Sequence, residues 1–156
     1  MNENSLARYD TLDLVRMEEA NLADVMTVEQ GAYPIPWSKL NFLDCLKSGY
    51  DGWVLSEARR HLGHSVLSAA AGEAHLLNLT VHRDFQRQGL GRYLLNFNIK
   101  RARQLGAETL FLEVRESNHP AHGLYAYEGF NEVGRRRGYY PAEKSREDAI
   151  IMAIEL

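Results

Sequence analysis

Apolar and polar positions alternate along this chain with two different periods, and the switches between them mark out the elements. Leu12 and Leu14, with Val15 and Met17, read as a first strand. Leu22, Val25, Met26 and Val28 then recur at the spacing of one helix face, with Asn21 before them as cap and Pro34 and Pro36 after them as stop. Ser38 caps a second helix through Phe42, Leu43 and Leu46, which closes at Gly49. Trp53–Glu57, Leu62–Ala71 and Ala74–Val81 read as three strands of a meander, with turns at Arg59-Arg60-His61 and at Gly72-Glu73. The clearest amphipathic helix carries Leu90, Leu94, Phe97 and Ala102, with Tyr93 and Leu105, and stops at Gly106. A strand follows at Thr109–Val114. Asn118 caps a short helix with Pro120 in its first turn, and Phe130–Tyr140 and Ala149–Leu156 supply two last strands. The order β-α-α-β-β-β-α-β-α-β-β, about seven strands and four helices, predicts an α/β (α+β) fold.

Composition narrows the class. A chain of 156 residues, 45% apolar and 25% charged, suits one soluble domain, expected from Asp10 to the end with residues 1–9 as a mobile segment. No apolar run approaches the ~20 residues that span a bilayer, and the start MNENSLARYD lacks a signal-peptide layout, so no membrane association is expected and the cytoplasm is the default. Cys45, the single cysteine, falls on the apolar side of a helix and reads as core. The six histidines show no metal-ligand spacing, so no metal is expected. Eighteen basic against 21 acidic residues leave a net charge of −3, which gives no global attraction to nucleic acid. Arg83, Arg87, Arg92, Lys100, Arg101 and Arg103 nevertheless crowd one loop and the helix after it, which suits either an anionic ligand or a solvated basic helix face.

That loop carries the first chemical signal. Gln86, Arg87, Gln88, Gly89, Leu90, Gly91 and Arg92 lie between an apolar strand and a strong helix. Glycines there let successive N–H groups point at one anion, and the helix start adds its unpaired donors and dipole. The loop is not a dinucleotide fingerprint, because Leu94 stands where the third glycine belongs, and it lacks the Gly-Lys-Ser/Thr ending of a Walker loop. Its pattern resembles the Gln/Arg-x-x-Gly-x-Gly/Ala loop of the GNAT acetyl-coenzyme A-dependent N-acetyltransferases. The resemblance implies the GNAT fold, a mixed twisted sheet of about seven strands flanked by four helices, and acetyl-CoA as co-substrate, with its pyrophosphate on this loop and its pantetheine arm beside the backbone of Leu79, Thr80 and Val81, where the fourth and fifth strands splay apart.

Glu113 sits among Phe111, Leu112 and Val114, and strand alternation sends it to the face opposite Leu112 and Val114, where a carboxylate is either paired or part of a site. The ordinary alternative pairs it with Arg115 or Arg135. The segment LEVRESN resembles the bacterial ribosomal-protein N-terminal alanine acetyltransferases of the GNAT family, in which such a glutamate takes the proton of the substrate amine. Tyr125, in GLYAYEGF, resembles the family's tyrosine that protonates the departing thiolate; the alternative is a packed core aromatic. Asn118 is both a helix cap and a cofactor contact in this reading. Tyr33 and Trp37 in AYPIPWS, and Tyr139 and Tyr140 in RRRGYYP, resemble the walls of that subgroup's peptide groove. The resemblance therefore implies transfer of acetyl to the N-terminal amine of a protein, most of all the alanine of the eighteenth small-subunit ribosomal protein, by a monomer or weak dimer. Two alternatives stay open: a small amine or lysine side chain as acceptor, and a CoA-binding regulatory module without turnover.

Overall fold

The computed structural model describes residues 9–156, so apart from Tyr9 the N-terminal segment lies outside the described residues. Seven strands form one sheet in the order β1-β2-β3-β4-β5-β7-β6. They are β1 (Leu12–Arg16), β2 (Asp51–Glu57), β3 (Arg60–Ala70), β4 (Glu73–Val81), β5 (Thr109–Arg115), β6 (Asn131–Pro141) and β7 (Arg146–Glu155). Four α-helices accompany them among the described residues: α1 (Leu22–Ala32), α2 (Lys39–Lys47), α3 (Leu90–Gln104) and α4 (His119–Tyr127). The β4–β5 pair is parallel, while β1–β2, β5–β7 and β6–β7 are antiparallel, so the sheet is mixed.

Local signals explain most boundaries. Ser38 is the N-cap of α2, its Oγ accepting from the Asn41 N–H at 3.1 Å, and Asn118 caps α4 by accepting from the Ala121 N–H at 3.3 Å. Asn21 behaves differently from expectation. A 3-10 turn over Glu19–Asn21 runs straight into α1, so Asn21 already has helical dihedrals, and its Oδ1 accepts from the Glu18 N–H at 2.8 Å instead of capping α1. The β2–β3 turn is also one residue earlier than the sequence suggested. Ala58 and Arg59 take it at φ 50° and 65°, the double left-handed geometry that a two-residue hairpin needs, without the glycine or asparagine that normally announces it.

The chain divides into two compact units. One takes the described residues up to Val66 together with Asn78–Leu94, and the other takes Leu67–Leu77 and Leu95–Leu156. In the first, Met17, Leu22, Val25, Phe42, Cys45, Val54 and Val66 form one core cluster, and Leu12, Leu55, Leu62, Leu90 and Leu94 form a second. Tyr9, assigned by sequence to the mobile start, joins that second cluster, its ring 5.0 Å from that of Tyr93. In the second unit, β5 alternates strictly: Leu110, Leu112 and Val114 are buried and the residues between them are not, which puts Glu113 on the partly open face.

Candidate active site

In the first unit, β4 presents an edge. The His82 N–H donates to the Leu62 carbonyl at 2.8 Å, and a Cβ on Gly63 would lie 2.6 Å from the Thr80 carbonyl, so positions 80 and 82 address β3. Alternation then turns the backbone groups of Leu79 and Val81 to the other edge. Side-chain donors meet them there: the Tyr33 hydroxyl donates to the Leu79 carbonyl at 2.7 Å, and the Gln86 Nε2 to the Val81 carbonyl at 3.1 Å. Of the three backbone positions expected to line the cofactor, Leu79 and Val81 have this placement; the Thr80 backbone does not, because it faces β3.

Directly after this edge comes the glycine loop. Gln86, Arg87, Gln88 and Gly89 are exposed, Arg87 and Gly89 have φ 62° and 84°, and the Tyr93 N–H donates to the Gly89 carbonyl at 3.0 Å as α3 begins. A side chain at Gly89 would be strained in that conformation, which keeps the backbone bare at the helix start. The second left-handed residue is Arg87 rather than Gly91, which lies in the first turn of α3 beside the buried Leu90. Arg92 is exposed next to it. Arg101 and Arg103 sit in the last turn of α3, where they complement the negative end of the helix dipole, so the basic cluster is split between the two helix ends.

A buried carboxylate holds the neighbourhood of that edge together. Glu29, on α1, is 1% exposed. Its oxygens accept from Thr80 Oγ1 at 2.7 Å, the Trp37 N–H at 3.2 Å and Asn78 Nδ2 at 3.3 Å, and His64 Nε2 lies 2.9 Å away. His64 Nδ1 in turn lies 2.9 Å from His61 Nε2. Burial pushes the Glu29 pKa up, but the hydrogen bonds from His64, Thr80 and Trp37 and the His64 charge outweigh it, and the net direction is down. Burial, with the charges of His64 and His82, lowers His61 to about 3. Tyr33 is pushed to about 12 by burial and then by the Glu29 charge. Trp37 packs its ring 5.1 Å from Phe42 against the first core cluster, so its side chain is part core and not simply an exposed wall.

In the second unit the register around β7 builds the surroundings of Glu113. Glu113 lies opposite Ile151, and Arg115 opposite Ala149. On the far side of β7, Gly134 faces Ile151 and Arg136 faces Ala149, after a bulge between Glu132 and Gly134. Arg136 therefore sits diagonally across β7 from Glu113, and its Nε reaches Glu113 Oε1 at 2.7 Å. A second irregularity between Arg136 and Tyr140 centres on Gly138 (φ 59°), whose N–H donates to Asp148 Oδ1 at 2.8 Å. It delivers both tyrosines of RRRGYYP to Glu113. Tyr139 is raised by burial and then by the Glu113 charge and a hydrogen bond to it; Tyr140 is pushed to about 12 by burial, then by Glu113. Arg115, 4.5 Å over the Tyr140 ring, also donates to Glu147 Oε2 at 3.2 Å, and the Ser117 N–H donates to Glu147 Oε1 at 2.6 Å.

The structure thus brings Glu113, Tyr139 and Tyr140 together. The partner of Glu113 is Arg136, not Arg115 or Arg135: Arg115 is engaged by Glu147, and Arg135 by Glu116 at 2.9 Å and Asp148 at 3.0 Å. Tyr125 is buried, its ring 5.9 Å from Phe130, whereas Tyr127 is 73% exposed. Glu29, His61 and His64 escaped the sequence reading, although Glu29 falls on the stripe begun by Leu22, Val25 and Met26. Among the described residues no three histidine, cysteine or acidic side chains group to hold a metal ion. Nor, among them, is any helix long and apolar enough to cross a membrane.

Known proteins resemble this chain over most of its length. The chain is 40% identical over 140 residues to the [ribosomal protein bS18]-alanine N-acetyltransferase of Escherichia coli K12, covering 90% of this chain and 95% of that protein. The Haemophilus influenzae protein of the same name is 34% identical over 142 residues, covering 90% and 97%. The crystal structure of the E. coli ribosomal-protein-S18-alanine N-acetyltransferase superposes with a TM-score of 0.86 at 39% identity, over 92% of this chain and 93% of that one. Ard1 from Thermoplasma volcanium shares the fold, with a TM-score of 0.83 at 22% identity over 94% and 98%. The acetyltransferase (GNAT) family matches residues 20–130, and the chain belongs to that family.

Proposed function

We propose that this protein transfers an acetyl group from acetyl-CoA to the N-terminal α-amine of a protein, the alanine of ribosomal protein bS18, with Glu113 as general base and Tyr125 as general acid. The observation that carries the chemistry is Glu113: a carboxylate 25% exposed between the buried Leu112 and Val114, beside Tyr139 and Tyr140. The acceptor rests on the 40% identity to the E. coli enzyme across nine-tenths of the chain. A ribosomal-protein acceptor places the reaction in the cytoplasm.

The residues present fit acetyl-CoA. The Leu79 and Val81 backbone groups face away from β3, on the side along which an amide-bearing arm would lie, and such an arm would take the place of the Tyr33 and Gln86 side-chain donors at their carbonyls. The exposed backbone of Gln86–Gly89, continued by Leu90, Gly91 and Arg92 at the α3 start, suits its pyrophosphate. Asn118, capping α4, is the remaining proposed contact. Acetyl-CoA supplies an activated thioester carbonyl. Glu113 takes the proton from the acceptor's ammonium group, because a protonated amine has no lone pair with which to attack. Tyr125 carries a phenolic O–H, a proton donor that can serve the thiolate that leaves. Tyr33, Trp37, Tyr139 and Tyr140 give the acceptor peptide rigid aromatic surface.

Mass spectrometry of a peptide with the bS18 N-terminus after incubation with acetyl-CoA tests the reading. A gain of one acetyl on the α-amine is expected, with none on a peptide whose only amine is a lysine side chain. Modification of the lysine peptide alone would replace this acceptor with a side-chain amine.

A further inference from the structure

The carboxylate assigned as the base is already holding a cation. Arg136 Nε lies 2.7 Å from Glu113 Oε1, while the Tyr139 ring stands 5.5 Å from the Arg136 guanidinium carbon. Tyr139 and Tyr140 lie beside the same carboxylate, and Arg115 on the same strand is turned to Glu147 and the Tyr140 ring. A carboxylate framed by two aromatic side chains is a site for a positive charge. The charge in it now is weakly held. Arg136 is 56% exposed, and an ion pair with a solvated partner is of little net strength and exchanges readily. An N-terminal ammonium group carries the same charge on a smaller head. While the guanidinium is in place, the carboxylate oxygen that it engages is closed to the hydrogen bond of an attacking water molecule.

We propose that Arg136 occupies the ammonium subsite of this enzyme as a displaceable placeholder: it holds Glu113 inactive until the amine of the acceptor takes its place. The proposal rests on Glu113 as base. It gives Arg136 two effects on the reaction. The guanidinium competes with the acceptor for Glu113. It also keeps Glu113 from activating water, which would add to the thioester carbonyl, break the C–S bond and yield acetate, coenzyme A thiol and a proton. The acceptor's arrival releases the base only when an amine is there to use it.

The test compares wild type, Arg136→Ala and Arg136→Gln in the full chain, with free thiol followed in acetyl-CoA both without acceptor and with the alanine-terminated peptide. Acceptor-free thiol release should rise severalfold in both variants and return to the wild-type level when Glu113→Gln is added. The peptide KM should fall roughly two- to fivefold at low salt, the worth of one solvated charge pair, and the difference should shrink at high salt. A residue that merely braces Glu113 predicts the opposite, a higher KM and a lower kcat with no acceptor-free release; that result, or variants indistinguishable from wild type, overturns the placeholder. Full transfer activity in Glu113→Gln alone would instead overturn the base assignment beneath it.

Discussion

Glu29 and Glu113 are both carboxylates on apolar elements, yet their surroundings make them opposites. Glu29 is enclosed, with Thr80, Asn78, His64 and the Trp37 N–H all turned onto its two oxygens. Every lone pair is committed to a group that is itself fixed in α1's neighbours β3 and β4 or in the loop after α1. Such a group cannot take up a proton in a reaction without dismantling its cage, so it serves architecture. Glu113 is a quarter exposed, and its one ion-pair partner stands on a half-exposed side chain. Saturation by buried donors fixes a charge; partial satisfaction at the surface leaves it available. The residue type is the same in the two cases, and the number and mobility of the donors decide the role.

Exchanging carboxylate for amide at each position is the sharpest way to break this comparison. Glu113→Gln should lower kcat by roughly 10² to 10⁴ with the folding transition unchanged, and initial rates at saturating substrates read it directly. Activity near wild type would show that Glu113 is architectural as well. Glu29→Gln should do the reverse. It removes the charge that His64 faces and leaves donor against donor, at about 3–5 kcal/mol of stability measured by urea unfolding, with the kcat of the folded fraction little changed. A stable Glu29→Gln protein that has lost turnover would move the base into the first unit.

Acid sharpens the contrast further. His61, held to about 3 when folded, is protonated near its ordinary value once unfolded, so the unfolded chain binds the extra proton and stability falls as pH drops from about 6.5 toward 3. The slope is at most ~1.4 kcal/mol per pH unit and less in practice because His61 is partly open to solvent. Glu29, whose pKa is lowered, adds a further loss below the ordinary carboxylate range, where the unfolded chain protonates first. His61→Asn should flatten the profile between pH 6.5 and 4 in thermal melts and leave the lower part in place. The smallest effect belongs to Glu147→Gln, which loosens Arg115 and the Ser117 N–H at the surface: about 1 kcal/mol or less, with a modest rise in the peptide KM through Tyr140. A large stability loss there would place the more important carboxylate cage of the second unit at Glu147.

Much of this molecule was legible from its residues. The order of helices and strands, the caps Ser38 and Asn118, the stop at Gly106 and the alternation that separates Glu113 from Leu112 and Val114 all depend on groups within a few positions of one another. Where local signals were missing or competing, the reading slipped. Ala58 and Arg59 make a left-handed turn without a turn residue, and Asn21 gave its side chain to the preceding 3-10 turn. Both outcomes were set by how flanking elements enter the position.

The sequence by itself determined the glycine loop before α3, the strand position of Glu113 and the aromatic pair after Gly138, because dihedral preference and period-two alternation act along the chain. Tertiary structure alone decided what each charge meets. The bulge in β6 at Glu132–Gly134 sets which of three consecutive arginines lies diagonal to Glu113, since one extra residue in a strand turns every later side chain to the other face. Glu29 and His64, 35 positions apart, became a pair only when α1 and β3 packed together. Desolvation and Coulomb attraction depend on distances through space, and those distances exist only once the fold has closed.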